Sequence, residues 1–560
     1  MTKLKTWVQT LYDRKTIKQD AVAGLALGVV SVPDGLAGGL LAGVNPVFGL
    51  YGYMMGTLTG ALFTSATFMA VQATGAMAIV VSDVPQVRVG EGADRALFTL
   101  AVMTGVVMLI AGFFKLGTLL RWVSNSVMVG FINAVGVNII LGQLDNFSGY
   151  EAVGVNRVTR AFDLLFNLGQ AHWPSMLIGA ATILLIIALE KTRLGPLGMV
   201  VAIVLTSGVV VVLGAEVAQL RDITDVPGTL PLPVLPDLSL IPVLIVPAVA
   251  LAFVGLVQGA GISGSMPNPD GEFPDASQDF VGQGAANVAA GLFQGMPVGG
   301  SMSASSLVKT AGARSKLALI IASGVMAIAI LLFSNAVGYI AMPSLAALLM
   351  LVGYRTIKPE DIKAVWRTGA TQATVMTVTF VLTMLIPLQN AVMVGIGISL
   401  ILFVIKQSNR MTLKRWEMDD TRGRMKEVDP PSEVGVDEVI VLQPYGSLFF
   451  ASAPVFDEAL PDVTPASHNS VVIIRLRGKS DLGTTFMDVL ARYAYALRSA
   501  SCKLVVTYAD EKVSDQLVVT GAAVALGKEN IYESDEWLGA TVRRANDDAR
   551  TWIAENRQVD

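Results

Sequence analysis

Cysteine is nearly absent. Cys502 stands alone in 560 residues, which excludes an internal disulfide framework and a metal site built from thiolates. Histidine is almost as scarce, and His172 and His468 are too few and too scattered to form a metal centre. Charged residues make up only 15% of the chain. No enzymatic activity, cofactor, bound metal or nucleic-acid partner is expected of such a composition. Also missing is a small-residue cleavage site before Ala21, so the basic N-terminus, with Lys3, Lys5, Arg14, Lys15 and Lys18, reads as the flank of a first membrane span and not as a removed signal peptide.

What the chain has in abundance is apolar surface: 53% of residues are hydrophobic and the mean hydropathy is +0.60. Apolar runs such as residues 96–114, 173–189 and 317–333 are long enough to cross a hydrocarbon layer of about 30 Å. Lys and Arg cluster in alternate connections: the N-terminus, residues 115–121, Lys191 with Arg193, residues 309–316, 354–367 and 406–426. Residues 145–155, 213–226 and 386–390 hold only Arg221 among them. The positive-inside rule then places both termini in the cytoplasm and requires an even number of crossings, of which fourteen fit if some are short or broken. Arg88 and Arg95 fit this threading poorly, since they fall on the outer side.

Two hydrophobic segments are too short to span as ordinary helices: "VQATGAMAIVV" (71–81) and "PVGGSMSASSLV" (297–308). Each reads as an extended entry that stops within the membrane and then starts a half-helix. Free backbone N–H groups at such a start attract anions, and Thr74, Gly75, Gly299, Gly300, Ser301 and Ser303 are small enough to admit one. Paired broken segments in the two halves of a chain are a pointer to a transporter site. Ordinary Gly/Ser-rich packing helices would leave the same pattern.

Nearly end to end, the chain resembles the SulP anion transporters, bacterial relatives of the sulfate-permease and prestin group. The stretches that carry the resemblance are "DAVAGLALGVVSVPDGLA", "NPVFGLYGYMMGTLTGALF", "VQATGAMA", "GFINAVGVNIILGQL", "QDFVGQGAANVAAGLFQGMPVGGSMSASSL" and "AGARSKLA". The resemblance implies a polytopic α-helical membrane protein of fourteen spans in two inverted seven-span repeats, forming core and gate domains that work by elevator-like alternating access. It places the substrate between the starts of the third and tenth helices, with contacts from the first and eighth spans. The expected anion site is therefore Gln72, Ala73, Thr74, Gly75 and Ala76 together with Gly299, Gly300, Ser301, Met302 and Ser303. The expected boundaries are a cytoplasmic segment over 1–20, a transport domain over 21–407, a linker over 408–436 and a soluble domain over 437–560.

In that last part "EVIVLQPYG", "VVIIRLRG" and "CKLVVTYA" alternate with helix-like residues 484–499, 514–521 and 536–555, as in a sheet covered by helices. "PYGSLFFASAPVFDEAL" and "RLRGKSDLGTT" resemble the STAS domain that SulP proteins carry. STAS domains of stress-signalling proteins place a phosphorylatable Ser or Thr after an Asp at a helix start. Here Thr484 follows Gly483, so Thr484 is read as a helix N-cap.

In the first span, "SVPDGLAGGLLA" (31–42) sets a proline beside a carboxylate. Pro33 lacks an N–H and is expected to break the helix and open a polar niche. An acid in a span costs about 2.5–3.5 kcal/mol unless it faces a cavity, pairs or takes up a proton, which makes Asp34 a candidate coupling group; a satisfied structural role is the alternative. The family often has Gln or an apolar residue after this proline and an acid in the eighth span, where this chain has Gln258. SulP bicarbonate importers hold sodium with that acid, a hydroxyl one turn later and a threonine at the tenth helix. The matching residues are Gln258, Ile262 and Met302, which offer sodium little oxygen. No Lys or Arg marks the niche. Secondary active transport of a small anion (bicarbonate, sulfate, chloride or a dicarboxylate), proton-coupled and sodium-independent, is the expectation for a homodimer in the cell membrane, in contact with lipid. An uncoupled exchanger or channel, a nucleobase permease and a non-transporting sensor are the alternatives.

Gly52, Gly56 and Gly60 fall on one helical face and read as a packing stripe. Asn133 and Asn138, like Gln72, read as bonding between helices or as lining the route. The acidic, proline-bearing stretch 268–279 reads as a solvated loop.

Overall fold

The structure is a computed structural model, described here for residues 16–557 except 89, 91, 117–124, 225, 388–389, 392–393, 395–396, 399–400, 402–403, 406–410, 420–423, 480–481, 534, 536 and 538. The expectations for residues 1–15, for most of the 115–121 turn and for Lys406 concern residues outside this set. Contacts divide the chain into two compact units, Met1–Ser399 and Leu400–Asp560.

The first unit is helical. Helices α1 (Ile17–Leu41) and α2 (Pro46–Phe63) lead through the short strand β1 (Val71–Gln72) into α3 (Gly75–Ser82), followed by α4 (Ala93–Phe113), α5 (Asn125–Gly142), α6 (Leu144–Ser148), α7 (Arg157–Phe166), α8 (Trp173–Glu190) and α9 (Leu197–Leu213). The second half runs α10 (Ile241–Ser265), α11 (Ala276–Leu292), strand β2 (Gly299–Gly300), α12 (Met302–Thr310), α13 (Leu317–Gly338), α14 (Met342–Thr356), α15 (Pro359–Thr368) and α16 (Ala370–Leu385). Among the described residues, six helices are long and apolar enough to cross a membrane, α1, α4, α8 and α13 among them. Helix α11 packs along α4 and α2, while α13 packs on α1 and α2. The Gly52/Gly56/Gly60 face of α2 seats the strands: a Cβ on Gly56 would lie 2.6 Å from the Val71 carbonyl oxygen, so the stripe admits backbone where any side chain would exclude it.

Helix α1 does not break at Pro33, contrary to expectation; it runs as one helix from Ile17 to Leu41. Proline removes one N–H and disturbs one turn, and close packing of α1 against α2 and α13 holds the rest in line. Nor is the 268–279 stretch simply a solvated loop. Asp279 is fully buried in the first turn of α11, accepting from the Ser65 and Ala66 backbone N–H groups (2.6 and 3.0 Å) and from Ser263 Oγ (2.6 Å). Asn268 accepts from Thr67 N–H at 2.8 Å. A matching clamp lies at the start of α1, where buried Asp20 accepts from the Arg314 and Ser315 N–H groups. Burying a carboxylate is tolerable when several donors converge on it, and such convergence is invisible in composition.

The second unit is a six-stranded sheet in the order β4-β3-β5-β6-β7-β8, with β3 (Thr412–Asp419), β4 (Arg424–Val428), β5 (Val439–Tyr445), β6 (Val471–Arg475), β7 (Lys503–Ala509) and β8 (Ile531–Glu533). Strands β5 to β8 are parallel, and β3 is antiparallel to both its neighbours. Its helices are α17 (Ala453–Ala459), α18 (Thr484–Ser499), α19 (Glu511–Val519), α20 (Ala522–Leu526) and α21 (Ala540–Arg557). Alternation along β6 divides the core: Val472 and Ile474 pack with Phe456, Phe486 and Leu490, whereas Val471 and Ile473 pack with Val542, Ala545 and Ile553 of α21. Both faces are covered, which is why β6 reads as an unbroken apolar run.

Two expectations need correction here. The stretch 408–436 is not a linker: β3 and β4 lie within it and extend the sheet. Its charges pair across the ribbon, Lys414 Nζ with Asp429 at 2.7 Å and Trp416 Nε1 donating to Glu427 at 3.1 Å, so a strand pair at a sheet edge has the composition of a solvated connector. Thr484 is the first residue of α18, and Gly483 occupies the cap position without a side-chain hydrogen bond. The cap lies one residue upstream because Gly483 has the extended backbone (φ −65°, ψ 153°) that a cap adopts.

Candidate functional site

The two segments too short to span meet inside the first unit. Strands β1 and β2 pair antiparallel, Val71 opposite Gly300 and Gln72 opposite Gly299, and Ser301 N–H donates to the Ala70 carbonyl at 2.9 Å. Each strand ends in a side-chain cap that starts a short helix. Thr74 Oγ1 accepts from Met77 N–H (3.3 Å) at the start of α3, and Ser301 Oγ accepts from Ala304 N–H (3.4 Å) at the start of α12. The N–H groups of Gly75, Ala76, Met302 and Ser303 have no partner among the described residues. Unsatisfied first-turn donors on two helix starts, brought together by a strand pair, form a positive niche without a formal charge.

The position of β2 is fixed by α11, through two residues the sequence reading passed over. Asn287 brackets Val298, its Nδ2 donating to the Val298 carbonyl at 2.6 Å and its Oδ1 accepting the Val298 N–H at 2.9 Å. Gln283 Oε1 accepts Gly300 N–H at 3.0 Å. The signal was present: two amides four residues apart on a helix otherwise rich in Gly and Ala. Behind β2, a Cβ on Gly300 would lie 2.9 Å from Gly259 Cα, so α10 and the strand touch backbone to backbone.

A cavity of about 650 Å³ opens onto these helix starts. It is lined by Asp34 of α1, Gln258 of α10 and every expected site residue except Gly299, which is buried in β2. Gln258 Oε1 accepts from Thr74 Oγ1 at 2.9 Å, tying α10 to the cap of α3. Asp34 Oδ2 lies 2.9 Å from Tyr53 Oη, which is also 2.9 Å from the Ala73 carbonyl oxygen. Gln72 donates Nε2 to Ser31 Oγ and Thr57 Oγ1 (2.9 and 3.3 Å), bonding between helices, while its buried Oε1 has no partner among the described residues. Met302 is 44% exposed, whereas Ile262 is buried against β2. Asn138 bonds between helices to the Thr383 carbonyl, and Asn133 accepts the Lys358 N–H.

Arg355 and Lys358 line the wider cavity onto which the niche opens. They lie at the end of α14 and just beyond it, far in sequence from both half-helices, which is why reading those segments alone misses them. Arg355 is bidentate to Glu190 of α8, which neutralises it, while Lys358 is exposed.

Comparison with known proteins shows the family and the fold. The profile described as "Sulfate permease family" matches residues 17–379. The putative sulfate transporter YbaR of Bacillus subtilis is 28% identical over 401 residues, covering 70% of this chain and 78% of that protein. The probable sulfate transporter 4.2 of Arabidopsis thaliana is 24% identical, covering 93% and 80%. Among solved structures, the murine anion transporter Slc26a9 in the inward-facing state superposes with a TM-score of 0.83 at 19% identity, covering 96% of this chain and 93% of that one.

Proposed function

The chain belongs to the sulfate permease family, a family of membrane anion transporters, and from that premise we propose that it is a proton-coupled, sodium-independent secondary transporter of a small anion. The observation that carries this is the antiparallel pairing of β1 with β2, which turns the starts of α3 and α12 toward a cavity that also holds Asp34. An anion between Thr74–Ala76 and Gly300–Ser303 would accept from the four free N–H groups, each helix start contributing about 1 kcal/mol. Lys358 at the cavity wall adds attraction from solvent.

A carboxylate taken out of water favours its neutral form, so Asp34 is the group we assign to carry the proton with the anion. An amide at Gln258, an alkyl chain at Ile262 and a thioether at Met302 leave sodium without a hard-oxygen site there. We further propose fourteen spans in two inverted repeats, with α1–α3 related to α10–α12. The proposal continues with elevator-like movement of the repeat core, cytoplasmic termini, a homodimer, and a STAS identity for the second unit. The relatives' names favour sulfate, and the cavity chemistry admits bicarbonate, chloride or a dicarboxylate equally.

Replacing Ser301 tests the site. Ser301→Trp should fill the niche and abolish the melting-temperature increase that sulfate or bicarbonate gives the purified protein, with the ligand-free melt unchanged within a few degrees. A normal ligand-induced shift in this variant overturns the assignment.

A further inference from the structure

The Tyr53 hydroxyl touches two oxygen atoms at once and has one proton. The Ala73 carbonyl, 2.9 Å away, can only accept. Asp34 Oδ2, also 2.9 Å away, accepts when ionised and donates when protonated. For both contacts to be hydrogen bonds, the tyrosine proton must go to Ala73 and the proton between Tyr53 and Asp34 must come from the acid. If Asp34 is ionised, it claims the tyrosine proton and the Ala73 carbonyl loses its donor.

Ala73 lies between β1 and the Thr74 cap of α3, so its carbonyl sits at the joint where the anion niche begins. We propose that Tyr53 is a positioning residue that reads the protonation of Asp34 and transmits it to the start of α3: the chain Asp34 to Tyr53 to Ala73 closes and pins the niche when the acid is neutral, and opens at Ala73 when it is ionised. This rests on Asp34 being the proton carrier, and it adds the step by which a proton on one helix prepares the anion site on another.

Among the described residues, Tyr53 is the titratable side chain hydrogen-bonded to Asp34, and Lys358, which shares the cavity, is exposed. Of the helices packed on α1, α3, α9 and α13 carry no charged side chain. Helix α2 adds only Tyr51, whose hydroxyl donates to the Thr229 carbonyl at 3.1 Å. Lys309 of α12 is exposed and lies over the Phe68 ring. Arg355 of α14 is paired with Glu190, and Tyr354 beside it is 70% exposed. Gln258 of α10, which shares the cavity, does not titrate.

The test is hydrogen exchange of the full chain in liposomes without added anion, corrected for the intrinsic pH dependence of exchange and followed in the peptide that spans residues 70–82. Wild type should gain about fivefold protection at the α3 start on going from alkaline to acid pH, the size of one net hydrogen bond, while Tyr53→Phe and Asp34→Asn should each change by less than about twofold. If Asp34→Asn is flat and Tyr53→Phe keeps the wild-type profile, the relay is wrong and the carrier reading stands. If Asp34→Asn keeps the wild-type profile, the carrier reading itself fails. Should Tyr53→Phe not fold, 3,5-difluorotyrosine at position 53 keeps the hydroxyl as a poorer acceptor. Only the neutral-acid state uses Tyr53 as an acceptor, so the midpoint must move to lower pH, and an unmoved midpoint overturns the proposal.

Discussion

Asn287 has neither charge nor motif, yet it satisfies both backbone groups of Val298 in a place no water reaches. Asn287→Leu keeps the volume and orphans an N–H and a carbonyl, at about 1–3 kcal/mol for each. The variant should melt several degrees below wild type and lose anion binding as β2 shifts; a melt and binding isotherm equal to wild type would show that α11 does not set the strand. Residues of this kind are hard to find in a sequence because their value lies in the backbone they meet. That Asp34 faces a cavity was legible, since an acid beside a proline inside an apolar run must face a cavity, pair or take up a proton. Tyr53 was not, because a tyrosine in an apolar helix gives no sign of which oxygen atoms surround it. Asp279 was misread for the related reason that its four donors, Ser65 N–H and Oγ, Ala66 N–H and Ser263 Oγ, lie elsewhere in the chain, the last of them in a different helix.

At the scale of elements, the half-helices were legible because the pattern is local: an apolar stretch too short to span, entered through small and hydroxylated residues. Their pairing through β1 and β2 was beyond local reading, since two-residue strands have no periodicity to detect. The β3–β4 ribbon was missed for the opposite reason, its charges outweighing its alternation. It nevertheless covers the β5 edge, buries Met411 and Leu413, and sets the Trp416 ring 4.2 Å from the Arg475 guanidinium. Burying two such apolar side chains stabilises by about 1.5–3 kcal/mol each. A fragment of residues 411–560 should therefore melt cooperatively as a monomer, whereas residues 437–560, with β5 uncovered, should melt lower or associate through the bare edge. Equal melting of the two by circular dichroism, both monomeric in sedimentation, would show that the ribbon adds nothing.

For the whole molecule, the family relation was legible because its motifs spread across the chain, while the coupling chemistry rests on where a few residues meet. The central claim joins these scales: an anion held on two helix starts moves with a proton held on Asp34. Its most direct test is anion accumulation by the full chain in liposomes, with sulfate and bicarbonate each supplied under an inward pH gradient and then under an inward sodium gradient, at matched membrane potential. The account predicts that the pH gradient alone drives accumulation, that flux rises as external pH falls, and that Asp34→Asn, fixed in the neutral form, loses proton-driven accumulation while anion exchange persists. Accumulation driven only by sodium, or full proton-driven uptake by Asp34→Asn, would contradict it.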